Sequence, residues 1–255
     1  MMKKSIIDGL VSIVTPMYNA ENFIEETIQS VCKQTYAKWE LIIVDDCSTD
    51  RSVEIARKYS EMDQRIRIIC NASNVGVAAT RNRAIDDAKG QYIAFLDSDD
   101  IWLKDKLEKQ LETMKKTGSP FCYGMCGVID STGKNLNKDR VVPKEIDYKE
   151  LLKGNVIPCL TVLIDRKRID IIEMPNIPHE DYACWLTIFD KYGIVARGVQ
   201  TVIAQYRIVE KSISNNKIKA AGWTWNIYRN YLKLPICKSV WCFICYIIKA
   251  IAKHY

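Results

Sequence analysis

Four polar blocks punctuate the first 105 residues, each joined to a short apolar run, and helical periodicity fills the intervals between them. The first run, residues 11–14, leads into Thr15-Pro16-Met17-Tyr18-Asn19, with a helix pattern over residues 21–34. The second, residues 41–44, ends in Asp45-Asp46-Cys47-Ser48-Thr49-Asp50; the third block, Asn74-Val75-Gly76-Val77-Ala78-Ala79-Thr80-Arg81-Asn82, feeds a helix. The fourth follows residues 92–96 as Asp97-Ser98-Asp99-Asp100. Short β-branched runs alternating with helices predict an α/β chain, with a mostly parallel central sheet flanked by helices. In such sheets ligands bind beyond the carboxyl ends of the strands, so all four blocks should meet in one crevice.

The Asp97-Ser98-Asp99-Asp100 block points to a divalent cation. Carboxylate oxygens suit Mg²⁺ or Mn²⁺, which commonly take one or two carboxylates and complete their shell with water and substrate phosphate. Adjacent acidic residues also cap helices or sit in solvated turns, and that reading stays open for Asp45 and Asp100.

Together the blocks resemble the family 2 glycosyltransferases, whose nucleotide-sugar-binding fold is called GT-A. The likeness rests on Ser12 to Asn19, Val44 to Asp50, Asn74 to Asn82 and Asp97 to Asp99, in that order. It continues more weakly through Glu180-Asp181-Tyr182 and Tyr206-Arg207 and lapses after about Ser214. The resemblance implies that Pro16 and Tyr18 flank a nucleobase, Asp46 accepts the uracil N3 proton, and Arg81 lies near base or phosphates. It implies Asp99 as metal ligand and Asp97 beside the ribose or a water of the metal shell. Asp181 would be the general base that takes a proton from an acceptor hydroxyl, in a single displacement with inversion at the anomeric carbon. As the first turn of a helix after Pro178, Glu180 and Asp181 also suit the helix dipole. Where many members carry a histidine after the Tyr-Arg pair, this chain has Val209, which puts strong metal dependence in question. Two other functions remain open, a nucleotidyltransferase acting on sugar phosphates and a non-catalytic membrane-associated scaffold. Residues 15–20 lack the glycine and lysine that the former usually carries in its first loop.

The 255 residues have room for one sizeable core with an appendage. The expected partition is a single catalytic domain over 1–210, with a donor half to about residue 110 and an acceptor half beyond it, and a tail over 211–255. Turn chemistry at Ser131-Thr132-Gly133-Lys134-Asn135 predicts a hairpin in the acceptor half. Ten cysteines at irregular spacing, without a secretory leader pattern, read as reduced, buried small residues in a cytoplasmic protein rather than a disulfide framework or zinc site.

The formal charge of +6 resides in the tail, where eight Lys or Arg and no acidic residue follow Glu210. Tryptophans and tyrosines accompany those lysines, a mixture that favours a membrane interface over nucleic acid. A helical projection of residues 236–253 sets Ile236, Val240, Phe243, Ile244, Ile247 and Ile251 on one face, with Lys238, Lys249 and Lys253 on the other. The uninterrupted apolar run, residues 240–248, falls well short of the ~20 residues a bilayer span requires. The expected partners are therefore a nucleotide sugar linked to uridine diphosphate, a glycan or lipid-linked acceptor, and, through residues 211–255, an anionic membrane surface at the inner face of the cell membrane, with no nucleic acid.

Overall fold

The computed structural model describes residues 6–209 and 217–252. Strands β1 (Ile7–Met17), β2 (Trp39–Asp45), β3 (Ile66–Cys70) and β4 (Gly90–Phe95) alternate with helices α1 (Ile24–Cys32), α2 (Ser52–Met62) and α3 (Val77–Asp87). Beyond them come β5 (Ile101–Trp102), α4 (Lys106–Thr117), β6 (Phe121–Ile129), β7 (Glu145–Ile146), α5 (Tyr148–Leu151), β8 (Leu163–Asp165), α6 (Glu180–Tyr192) and β9 (Ala196–Arg207). All nine strands join one sheet, ordered β3-β2-β1-β4-β8-β6-β9-β5, with β7 paired to β9.

The parallel expectation holds across β3-β2-β1-β4. Further along, β8 runs antiparallel to both β4 and β6, whereas β6 and β9 are parallel, so this part of the sheet is mixed. The β4–β8 pairing carries one sheet through both halves of the chain. The expected hairpin forms only in part: a turn closes over residues 130–134, and isolated bridges link Ile129 to Asn135 and Cys126 to Arg140.

Side-chain alternation along the strands divides the interior into two layers. Val14, Ile42, Val44 and Phe95 face one core, shared with Ala84 of α3 and Trp185 of α6; Ile13, Leu41, Ile43 and Ala94 face the other, with Ile28, Ala56 and Leu107 from α1, α2 and α4. Trp185 fixes α6 to the sheet by edge-on contacts with Phe95 and Phe121, at 5.4 and 5.3 Å between ring centroids. Truncating so large a buried ring costs about 3–5 kcal/mol. The helix pattern of residues 21–34 narrows to α1 because Ala20 and Glu21 instead donate their backbone N–H groups to Ser52 and Asp50 near the start of α2.

The described tail, α7 (Lys217–Asn226), a π-helical turn (Ile227–Tyr231) and α8 (Ile236–Ala252), packs on the body. Ile227, Tyr228, Leu234 and Cys242 belong to the same core as α6. The two-faced projection of α8 needs correction in one respect. Phe243 is drawn inward against Trp225 and Tyr246, and the body receives the flank carrying Ser239 and Cys242. Lys238 lies over the Tyr148 ring, and Lys249 approaches Glu150 at 3.8 Å. The polar flank thus satisfies itself on α5, turning Ile236, Val240, Trp241, Ile244 and Ile248 outward, all 41–63% exposed. Among the described residues no helix is long and apolar enough to cross a membrane. Lys211, Lys253 and the Ser212-Ile213-Ser214 segment lie outside the described residues.

Candidate active site

Parallel strands β2, β1 and β4 are neighbours, so their carboxyl ends bring Asp46, Tyr18 and Asp97 to one edge of the sheet. Pro16 is buried within β1, and Tyr18 just past its end is 53% exposed. The ends of β1 and β2 are tied together: Asp46 donates its N–H to the Met17 carbonyl, Asn19 donates its N–H to Ser48 Oγ, and Thr49 donates to Asn19 Oδ1.

Asp46 is held by the loop that precedes α3. Its carboxylate accepts hydrogen bonds from Asn71 Nδ2 (2.8 Å), Val75 N (2.9 Å) and Gly76 N (2.9 Å). Gly76 has φ +85°, a conformation that costs a glycine little and turns its N–H onto the carboxylate. Burial works against ionisation, but these donors overcome it and hold Asp46 below the usual carboxylate range.

Arg81 on α3 is the hinge of the arrangement. Its guanidinium, with the side chain 6% exposed, pairs with Asp97 at 2.6 Å and with Glu180 at 2.5 Å. It thereby ties the end of β4 to the first turn of α6, and its forked donors suit two carboxylates better than an ammonium would. Each of its outer nitrogens donates to a carboxylate, Nη1 to Glu180 and Nη2 to Asp97.

Asp99 is half-buried beside Asp97, and burial together with that neighbour's charge raises its pKa to about 6. Asp100 is fully buried and raised further, by burial and by Asp99 and Asp97. Its carboxylate accepts Arg207 N at 2.8 Å, so it locks the turn to β9. The Arg207 side chain completes that lock through Asp99 O at 2.7 Å and Glu26 at 2.5 Å. Asp45 binds the Ser48 N–H in its own turn.

Among the described residues no three His, Cys, Asp or Glu side chains form a metal cage. A hard cation of the Mg²⁺ class does not require one, since one carboxylate with water and phosphate oxygens suffices. The chemistry of Asp99 fits that part: burial and the charge of Asp97 raise its proton affinity, with its own backbone N–H, Arg207 and Arg81 opposing, so a cation there would relieve the crowding of the two carboxylates. Val209 lies two residues beyond the Arg207 lock.

Asp181 sits in the first turn of α6, following His179 at φ +59°. Burial and the adjacent Glu180 raise its pKa to about 6, with Arg81 opposing. Asn155 donates to its Oδ2 at 3.2 Å. Sequence reasoning did not single out Asn155, Glu180 as an ion-pair partner, or Glu26, which reaches Arg207 across 181 positions. Arg207 belonged to a recognised pair, but its role as a turn lock left no local signal.

The Glycosyl transferase family 2 model matches residues 12–193. A Bacillus subtilis (strain 168) protein named for teichuronic acid biosynthesis is 45% identical over 246 residues, 96% of this chain and 97% of its own. An Escherichia coli UDP-Glc:α-D-GlcNAc-diphosphoundecaprenol β-1,3-glucosyltransferase is 39% identical over 247 residues, 97% and 96% of the two chains. The solved structure of S. aureus TarS 1-349 in complex with UDP-GlcNAc has a TM-score of 0.72 at 19% identity, covering 93% of this chain and 71% of that one. The Pyrobaculum calidifontis mannosyltransferase in complex with GDP-Man and Mn²⁺ scores 0.69 at 16% identity, covering 95% and 74%. At those identities the structural likeness shows a shared fold.

Proposed function

The chain belongs to glycosyl transferase family 2, and on that premise we propose that it moves a sugar from a uridine diphosphate donor to a hydroxyl of a lipid-linked glycan during assembly of a bacterial surface polysaccharide. The observation that carries this reading is the Arg81 bridge, because it joins a donor-side carboxylate, Asp97, to the helix turn that bears Asp181. A sugar held by its diphosphate at the strand ends would face a carboxylate able to deprotonate an incoming hydroxyl.

Each side chain has a part in this proposal. Exposed Tyr18 and the rigid backbone at Pro16 flank the base, and the Asp46 carboxylate accepts a hydrogen bond from uracil N3–H. Asp97, fixed by Arg81, lies beside the ribose. Asp99 would hold Mg²⁺ or Mn²⁺, which when bound offsets charge developing on the departing diphosphate. Asp181 takes the proton of the acceptor hydroxyl while the opposite face of the anomeric carbon loses the diphosphate, which inverts the configuration there.

The outward apolar stripe of α8 supports seating on an anionic membrane at the cytoplasmic side. Ile236, Val240, Trp241, Ile244 and Ile248 are exposed, and so is Lys233 just before the helix. Anionic lipid contributes about 1 kcal/mol per nearby Lys or Arg. Such a seat would present the site to acceptors carried on a lipid diphosphate, the kind named for the Escherichia coli relative.

The test is a transfer assay with a panel of nucleotide sugars and a lipid-diphosphate-linked sugar, using wild type and Asp99→Ala. Selective consumption of one uridine diphosphate sugar with product on the lipid, strongly reduced in Asp99→Ala, is the expected result. Consumption of a nucleoside triphosphate with sugar 1-phosphate would move the chain to nucleotidyl transfer, and full transfer by Asp99→Ala would remove that residue from the site.

A further inference from the structure

We propose that Asn155 is a positioning residue for Asp181, aiming its carboxylate toward the acceptor hydroxyl, and that Tyr182 of α6 and Tyr228 of the tail hold the Asn155 segment in place through their hydroxyls. This rests on the reading of Asp181 as the base.

The orientation of the Asn155 amide follows from its partners. Its Oδ1 accepts the backbone N–H of Ile157 at 3.1 Å, and a backbone N–H can only donate. The Nδ2 end is therefore the one presented to Asp181 Oδ2, at 3.2 Å. An amide donor on a carboxylate favours the ionised form and limits its rotation. The other groups facing Asp181 are Glu180 and Cys184 on its own helix, Arg81 from α3, Asp97 from the end of β4, and Cys159 from the turn before β8. Arg81 is shared between Asp97 and Glu180, and the backbone N–H of Tyr182 also acts on Asp181; among the described residues Asn155 supplies the side-chain hydrogen bond to its carboxylate.

Asn155 is carried by residues 151–155, where α5 ends, and that end is unusual in how its carbonyls are satisfied. Tyr182, the residue after Asp181, donates its hydroxyl to Leu151 O at 2.8 Å. Tyr228 from the tail donates to Leu152 O at 2.5 Å, and the two hydroxyl oxygens are 3.1 Å apart. Gly154, at φ +135°, brings the backbone beneath Tyr246 of α8, where a Cβ would lie 3.5 Å from the ring. Base helix, Asn155 segment and tail are thus joined in one buried knot, so the geometry at Asp181 depends on tail residues far away in sequence.

Asn155→Asp isolates the donor, because it keeps the shape and the acceptor for Ile157 N while replacing the amide N–H groups facing Asp181 with a second carboxylate. We expect kcat to fall roughly tenfold to a hundredfold, the factor that follows from losing a hydrogen bond to a charged group, with the KM for the nucleotide sugar unchanged. The acidic limb of the kcat–pH profile should move to higher pH. Asn155→Ala should move it in the same direction by less, and Tyr228→Phe by less again; thermal melting of each variant checks folding. Wild-type kcat, or a lowered kcat with an unmoved acidic limb, in both Asn155 variants would overturn the proposal while Asp181→Asn remained inactive. If Asp181→Asn itself retained full turnover, the base reading would be what had failed.

Discussion

Asp46 and Asp181, proposed above for the donor and the acceptor of the reaction, have surroundings that drive them in opposite directions. Asp46 overcomes its burial with three hydrogen bonds from Asn71, Val75 and Gly76 and stays ionised well into the acid range. Burial and Glu180 raise Asp181 to a pKa of about 6, with Arg81 and the Tyr182 backbone N–H opposing. The contrast separates a carboxylate suited to binding from one suited to exchanging a proton. A permanently charged, crowded acceptor recognises a donor N–H, whereas a base needs a proton affinity close to the working pH.

The largest break in this comparison should come from Asp181→Asn, which keeps shape and removes basicity. Turnover should fall about a hundredfold to ten-thousandfold, the usual span for losing general-base assistance, while donor binding measured by calorimetry stays near wild type. Asp46→Ala should do the reverse. It strands the Asn71 amide and two backbone N–H groups, so urea denaturation should report a loss of about 2–4 kcal/mol, and donor affinity should drop with it.

A pH series sharpens the contrast further. With Asp181 near 6, turnover at saturating donor should rise as pH passes through that value and level off above it. Stability runs the other way at this residue. Below about pH 4 both native and unfolded chains are protonated there; between that pH and about 6 the native state holds a proton the unfolded chain has released, so stability falls as pH rises. Asp181→Asn should therefore be no less stable than wild type at pH 4 and more stable at pH 8, by about 1 kcal/mol once partial exposure is discounted. The smallest effect on chemistry should come from α8. Trp241→Glu combined with Ile244→Glu should weaken binding to phosphatidylglycerol-containing vesicles roughly tenfold or more and leave transfer to a soluble acceptor analogue unchanged.

The two sides of the site also differed in how readable they were. Tyr18, Asp46, Arg81, Asp97 and Asp99 each lie within a few residues of a strand end or helix start, so local pattern and strand order were enough to bring them together. The parallel half of the sheet followed from the same alternation. Past β4 the chain inserts β8 antiparallel between β4 and β6, an arrangement that depends on which strand finds which neighbour and that short apolar runs do not encode. Likewise, the projection of α8 sorted apolar from basic residues, but which flank met the body was decided by Tyr148 and Glu150, far upstream in the chain.

By itself the amino-acid order determined the strand-and-helix alternation, the gathering of polar blocks at one sheet edge and the family to which they belong, because these arise from period, turn chemistry and spacing along the chain. Only the tertiary structure decided that Arg81 would be consumed in bridging Asp97 to Glu180, that Arg207 would lock the acidic turn, and that a tail tyrosine would brace the segment beside Asp181. Those outcomes depend on partners remote in sequence, and a buried charge or hydroxyl takes whichever partner the packing brings within reach, since leaving it unpaired away from water costs more than any local preference supplies.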